Sequence, residues 1–508
     1  MSLKFYIDKC RTSIQKLATS FFNSVIQLFS YSIILLFSYS IILLSSCSKP
    51  GDNFLCVEQP ANIHPSYQGT VIPYNIAPLN FMIREEGSRY LVRFAVAGKD
   101  SFDVSYRNGK VSIPLRKWKK LLETHRGEQM NVSIFRKKTS GWERFAPLTF
   151  TIASEPIDSW FAYRLIEPGY ENWNRMGIYQ RCLENFEEKP IIINRLTDGN
   201  CMNCHSFCRN DPQTMLFHIR QKHAGTMFVK DGQISKINTK ADGMISAGVY
   251  PRWHPGGRYV AFSVNNTAQR FHTANDNKIE VYDDASDIIL FDTQNNSVIT
   301  NSLISTPAYF ETFPEWSPDG KYLYFSRVEA RQMPQEYDSL RYDLARIAFD
   351  ASTGRFGNRV ETVLLSADTE KSITLARISP DGKYAVFCMS NYGCFPVWHH
   401  ESDLFIMNLK TKEMSNMTAI NSARSESYHS WSSNGRWMVF GSRRMDGAYT
   451  HPYICYFDTE GNVHTPFILP QKNPLHYDFS TKSYNIPEFI TGKVTVSPYK
   501  FAKTAKGL

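Results

Sequence analysis

The chain has 508 residues, of which 42% are hydrophobic, 14% aromatic and 21% charged, with a formal net charge of +9. That length and apolar share supply a core for two to four domains and exclude an intrinsically disordered chain. Residues 1–46 carry +3 of the charge (Lys4, Lys9, Arg11 and Lys16 against Asp8). The mild remainder forms no basic run interleaved with aromatics, which excludes a nucleic-acid groove.

Residues 1–47 read as an export signal: a basic start, a long apolar stretch, then Leu44-Ser45-Ser46-Cys47. The octet Phe-Ser-Tyr-Ser-Ile-Ile-Leu-Leu occurs twice, at 29–36 and 37–44, as a tandem duplication would leave it. The tetrad resembles the bacterial lipobox, which implies cleavage before Cys47 and acylation of its thiol. The competing reading is an uncleaved membrane anchor of about 20 residues. Either one puts the body outside the cytoplasm. The expected address is the envelope of a Gram-negative-type bacterium, lipid-anchored to the outer membrane on its periplasmic or surface face.

Residues 48–78 read as a tether and irregular lead-in. From 79 to 154, short alternating stretches such as Arg89–Val96 and Met130–Lys137 are separated by turn signals such as Arg107-Asn108-Gly109. One helix-like piece, Leu115–Leu122, interrupts them. The pattern predicts a small β-sandwich of the immunoglobulin-like type, serving as a spacer or adhesion module.

Residues 155–224 read as a helical or irregular segment, with a helix predicted over Gln213–Lys222 after Pro212. Inside it lies Cys201-Met202-Asn203-Cys204-His205, a C-x-x-C-H pentad. Two thiols at this spacing suit thioether bonds to the vinyl groups of a porphyrin, and the adjacent imidazole suits the proximal iron position. The pentad resembles that of c-type cytochromes, which implies a covalent haem c on Cys201, Cys204 and His205. For the sixth ligand, His218 or His223 is favoured over Met215, with Met227 also in range. The rival chemistry is a structural zinc on Cys201, Cys204, His218 and His223, whose spacing approaches that of a zinc finger. A disulfide or inert pair is the third possibility. Six further cysteines (Cys56, Cys182, Cys208, Cys388, Cys394 and Cys455) remain, and Cys388 with Cys394 could close a hairpin bridge or remain as two buried thiols.

From 225 to 495 a twelve-residue pattern recurs four times, as in Glu315-Trp316-Ser317-Pro318-Asp319-Gly320-Lys321-Tyr322-Leu323-Tyr324-Phe325-Ser326. Its anchors are Trp253, Trp316, Ile378 and Trp431. Pro, Asp and Gly reverse the chain, and the following Tyr-x-x-Phe alternates as a half-buried strand. A second strand pair follows each copy, for example Leu404–Leu409, completing a four-stranded blade. These repeats resemble the TolB-type β-propeller, a relative of WD-repeat propellers. The fold class expected is therefore mainly β: a C-terminal propeller of five or six blades, a small β-sandwich before it and a short helical segment between. The pieces 226–237 and 484–490 are expected to share one blade and close the ring, and 496–508 forms a tail.

Other clusters read as structural. Asp276–Asp287 fits no calcium loop and reads as a solvated connection, and His399-His400-Glu401 as a surface loop. There is no G-x-S-x-G elbow and no P-loop, so neither hydrolysis nor nucleotide chemistry is expected. Two functions from different classes follow. One is an electron-transfer lipoprotein with haem beside a docking propeller and a protein redox partner. The other is a non-redox propeller binding protein or glycan, with the Cys/His cluster structural.

Overall fold

The computed structural model describes residues 53–508 apart from 97, 168–174 and 274–276, together with 21–22, 25–27 and 50. The basic leader, both copies of the duplicated octet and Cys47 lie outside the described residues. Among those described, no helix is long and apolar enough to cross a membrane.

The chain is mainly β, and its C-terminal part is a six-bladed propeller. Blades 2 to 6 are each one run of four antiparallel strands, beginning at Met202–Phe207, Val249–Trp253, Tyr309–Trp316, Ser372–Ile378 and Glu426–Trp431. Blade 1 is composite. Its outer three strands are Trp160–Ile166, Gly177–Cys182 and Glu188–Ile193, and its innermost is Ser483–Ile490, from the far end of the sequence. Innermost strands contact one another in the order of the blades, and Ser483–Ile490 touches both the Glu426–Trp431 and the Met202–Phe207 strands, which closes the ring. Each innermost strand is thereby flanked by the innermost strands of the two neighbouring blades.

This arrangement corrects the reading of residues 155–224. Gln213–Lys222 is not a helix: Met215–Ile219 is a strand, all five residues of it buried, and a 3-10 turn follows at Gln221–His223. A strand buried on both faces lacks alternation, so its apolar spacing imitates a helix. Closure also differs from expectation. Thr226–Val229 pairs inside blade 2, and 484–490 joins blade 1.

The N-terminal region is a β-sandwich of a seven-stranded and a three-stranded sheet, with the helix Leu115–Thr124 against it. The lead-in is not irregular. Leu55–Pro60 pairs with Gly141–Ala146 and Val71–Pro73 with Leu148–Ala153, both in parallel. The sandwich is joined to the ring by a shared core. Ile72, Val92 and Trp118 belong to the same apolar cluster as Phe161 and Phe489 of blade 1 and Trp437 of blade 6. Polar seams reinforce it: Asp158 accepts from Ser433 N (2.8 Å), and Asn80 Nδ2 donates to the carbonyls of Gln471 (3.3 Å) and Lys472 (3.2 Å). A detachable spacer would bury no such common core.

Candidate functional site in the central channel

Each innermost strand breaks register once, and at each break one non-glycine residue has positive φ. These residues are Cys204 (55°), Tyr250 (49°), Phe313 (53°), Leu375 (53°), Tyr428 (44°) and Ile486 (50°). A left-handed conformation costs a side-chain-bearing residue about 1–2 kcal/mol, so six at equivalent positions define the architecture of the ring. All six line the central cavity.

Counting from these bulges shows what the pentad is. Three residues on stand Phe207, Trp253, Trp316, Ile378, Trp431 and Phe489, and the tryptophans tie each blade to the one before. Trp253 Nε1 donates to Ser206 O (3.3 Å), Trp316 Nε1 to Arg252 O (3.2 Å) and Trp431 Nε1 to Arg377 O (3.3 Å). Cys204-His205-Ser206-Phe207-Cys208-Arg209-Asn210-Asp211 therefore occupies the frame of Phe313-Pro314-Glu315-Trp316-Ser317-Pro318-Asp319-Gly320. The pentad begins a degenerate repeat that its cysteines obscure. The full copies are braced by a serine: Ser317 Oγ donates to Asp319 (2.6 Å) and accepts from Tyr322 N (3.0 Å), as do Ser379 and Ser432 in their blades. Cys208 stands where that serine would.

The sequence-predicted ligands are dispersed. Cys201 is half-buried, while Cys204 and His205 are 2% and 1% exposed inside the ring. His218 pairs across from Asn203, and its Nδ1 meets Thr226 Oγ1 at 3.2 Å. His223 Nε2 lies 2.8 Å from Asp198 Oδ2. Met215 packs with Met202, Phe207 and Met227 in the apolar cluster between blades 1 and 2. Strand pairing holds these side chains away from the bulge, so the proposed zinc quartet is not assembled. Among the described residues no group of three or more His, Cys, Asp or Glu could hold a metal ion.

For a haem, donors and space disagree. The thiols of Cys201 and Cys204 are free, and neither ring nitrogen of His205 has a hydrogen-bond partner. The channel cavity that Cys204 and His205 line, however, has a volume of about 20 Å³, room for one or two waters and not for a porphyrin.

Below the bulges the channel is polar. Glu315 Oε2 lies 3.0 Å from Arg252 Nε and 3.2 Å from Arg377 Nη1, and Glu488 Oε1 accepts from Phe207 N (3.1 Å). These side chains, two positions after their bulges, form a charged ring beneath His205. Burial pushes the Glu488 carboxyl up to about 7, opposed by Arg252, while burial and the cations Arg164 and Arg252 push His205 down to about 3. Burial and Arg252 also lower Arg377 to about 10, with Glu315 opposing. Unpaired buried atoms collect here: both His205 nitrogens, Asn203 Oδ1, Arg164 Nε, Arg377 Nε, Asn485 Oδ1 and Glu488 Oε2.

Above the bulges the channel is apolar. Phe395 stacks edge-on against Phe313 (5.8 Å between ring centroids) and lies 6.2 Å from Tyr250, which itself meets Phe313 at 4.8 Å. The segment 276–287 corrects another reading. It is largely the strand Ile279–Asp292, with Asp283 fully buried and Glu280 nearly so. His399 is likewise buried, 3.7 Å from Glu280, and Cys394 Sγ reaches Asp283 Oδ2 at 3.8 Å. This polar knot pins the blade 3 hairpin to the loop that carries Phe395. Cys388 and Cys394 form no bridge; Cys388 instead faces His429 and Glu426 O. Nothing in the residue types alone signalled the Arg252–Glu315–Arg377 group. Its signal was positional, since all three stand immediately before the repeat anchors.

No family model matches the chain, and no curated protein matches it. Solved structures that resemble it include oligogalacturonate lyase from Vibrio parahaemolyticus (11% identity, TM-score 0.33, covering 59% of this chain and 92% of that one). The tricorn protease matches at 10% identity and TM-score 0.34, covering 68% of this chain and 34% of its own. Prolyl oligopeptidase B from Galerina marginata matches at 9% identity and TM-score 0.36, covering 76% and 61%. Likenesses this distant transfer no activity.

Proposed function

We propose that this protein is an extracytoplasmic binding propeller, tethered by a lipid on Cys47, whose ligand site is the polar end of the central channel. The observation that carries the reading is the place of the pentad: it is the innermost strand of blade 2, and its Cys204 and His205 belong to the channel wall. In that role the cysteines are small buried residues of a blade and the chemistry offered is recognition. Partners in keeping with it are a protein or glycan in the envelope, and no catalytic group is required.

The second reading is an electron carrier with haem c on Cys201 and Cys204, ligated by His205. The free thiols and the unpartnered imidazole favour it, and the size of the cavity opposes it. Covalent haem would supply one-electron chemistry.

Expression with the native leader in a Gram-negative host equipped for haem attachment separates the two. The binding reading expects membrane-associated, colourless protein that becomes soluble in the periplasm on Cys47→Ala. Stoichiometric haem that survives acid-acetone extraction and disappears in Cys201→Ala/Cys204→Ala would replace it with the redox reading.

A further inference from the structure

The charged ring has a sign. Arg252 and Arg377 are the charged residues that line the cavity, and Glu315 pairs with both without lining it. Arg252 and Arg377 share a single carboxylate oxygen of Glu315, and Arg377 Nη1 also donates to Ala376 O (2.7 Å), which leaves the buried Arg377 Nε available to a second acceptor. His205, 99% buried, lines the same cavity and has no side-chain partner for its ring nitrogens. Tyr250 and Phe313 line the cavity, and Phe395 packs against both. The charged ring keeps 15% exposure at Arg252, 17% at Glu315 and 10% at Arg377. Desolvated guanidinium donors converging on one point favour a planar anion that accepts bidentately.

We propose that the channel binds a small monovalent carboxylate, its oxygens held by Arg252 and Arg377 and its far side against His205. This specifies the ligand class of the binding reading and rests on it. The cavity admits a group the size of one or two waters, so the carboxylate head alone enters it and the remainder of the acid would lie at the mouth. Glu315 serves as the positioning residue: it holds the two guanidinium groups on one point and limits the attraction by its own charge.

The test is titration of the purified, full mature protein with sodium acetate at constant ionic strength, read by calorimetry and by thermal midpoint. Saturable binding that sodium chloride does not reproduce is expected. Arg377→Gln should weaken acetate at least tenfold, and Glu315→Gln should tighten it several-fold, because it removes the competing charge while keeping the shape. A purely structural network would not produce that opposite pair of changes. If Arg377→Gln does not fold, Glu315→Gln and the wild-type titration still decide. Equal responses to acetate and chloride, or no heat and no shift with acetate, overturn the proposal. The haem assay fails or succeeds independently, since it reads colour and covalent mass on protein never exposed to acetate.

Discussion

The indole of Trp431 donates to the carbonyl oxygen of Arg377, 3.3 Å away and one blade earlier in the ring. The same bond joins Trp316 to Arg252. Both acceptors are the cations of the channel, so the residue that fastens two blades also fixes the backbone from which a channel guanidinium projects. Trp431→Phe keeps most of the ring and loses the bond, and should cost about 1 kcal/mol. Trp431→Ala should cost about 3–5 kcal/mol. Urea unfolding of the two variants checks the ratio; an unchanged midpoint in Trp431→Phe would mean that the hydrogen bond contributes nothing beyond packing.

Stability should fall as the medium becomes alkaline. Burial raises the Glu311 carboxyl from 4.5 to about 8, with Arg327, 3.3 Å away, only partly opposing. The folded state therefore holds this proton more tightly than the unfolded state, so stability declines as pH rises from about 4.5 to about 8. Glu488, at about 7, and Asp283, at about 6, act in the same direction. Denaturant midpoints at pH 6 and pH 9 should differ, and Glu311→Gln, which is neutral throughout, should narrow the difference. An identical gap in the variant would remove Glu311 from the account.

Four of the six blades were legible because an apolar anchor and a turn glycine four residues on repeat at fixed offsets, as at Trp316-Ser317-Pro318-Asp319-Gly320. Blade 2 was not, since Phe207 replaces the tryptophan and Cys208 the serine, and its second strand, Met215–Ile219, lacks polar alternation. Blade 1 could not be read locally: Trp160–Ile166 finds its partner Ser483–Ile490 only in space. The candidate site was half legible. The pentad drew attention to Cys204 and His205, yet its chemistry as a motif presumes a free segment, and here the segment is tied into a sheet. Arg252, Glu315 and Arg377 become a site only when the ring superposes their equivalent positions.

Asn80 joins three elements through one side chain, accepting from Ile113 N (2.9 Å) while donating to Gln471 O and Lys472 O. Asn80→Ala leaves a buried amide N–H without a partner and should cost about 1–3 kcal/mol. Because the sandwich and propeller share a core, a single cooperative transition should shift to lower temperature. Two resolved transitions in the variant would show instead that the two regions melt apart.

The thiols offer a count. Of the eight described cysteines all are free, Cys56 is exposed, Cys201 half-buried and the other six buried. Under native conditions a thiol reagent should modify Cys56 fast and Cys201 slowly, and the buried six only in denaturant. Protection of Cys388 and Cys394 that persists in denaturant and yields to reductant would instead reveal a bridge.

Ring closure joins residues far apart in the chain, with Ser159 Oγ donating to Thr491 O across 332 positions. A chain synthesised from its N-terminus cannot complete blade 1 until this last strand arrives. At rates of about 5–20 residues per second, the first-made half of the toroid waits on the order of tens of seconds with an unsatisfied inner edge. Throughout that interval the edge is open to any extended segment nearby, which makes the unfinished circle the stage at which this protein has most need of a chaperone.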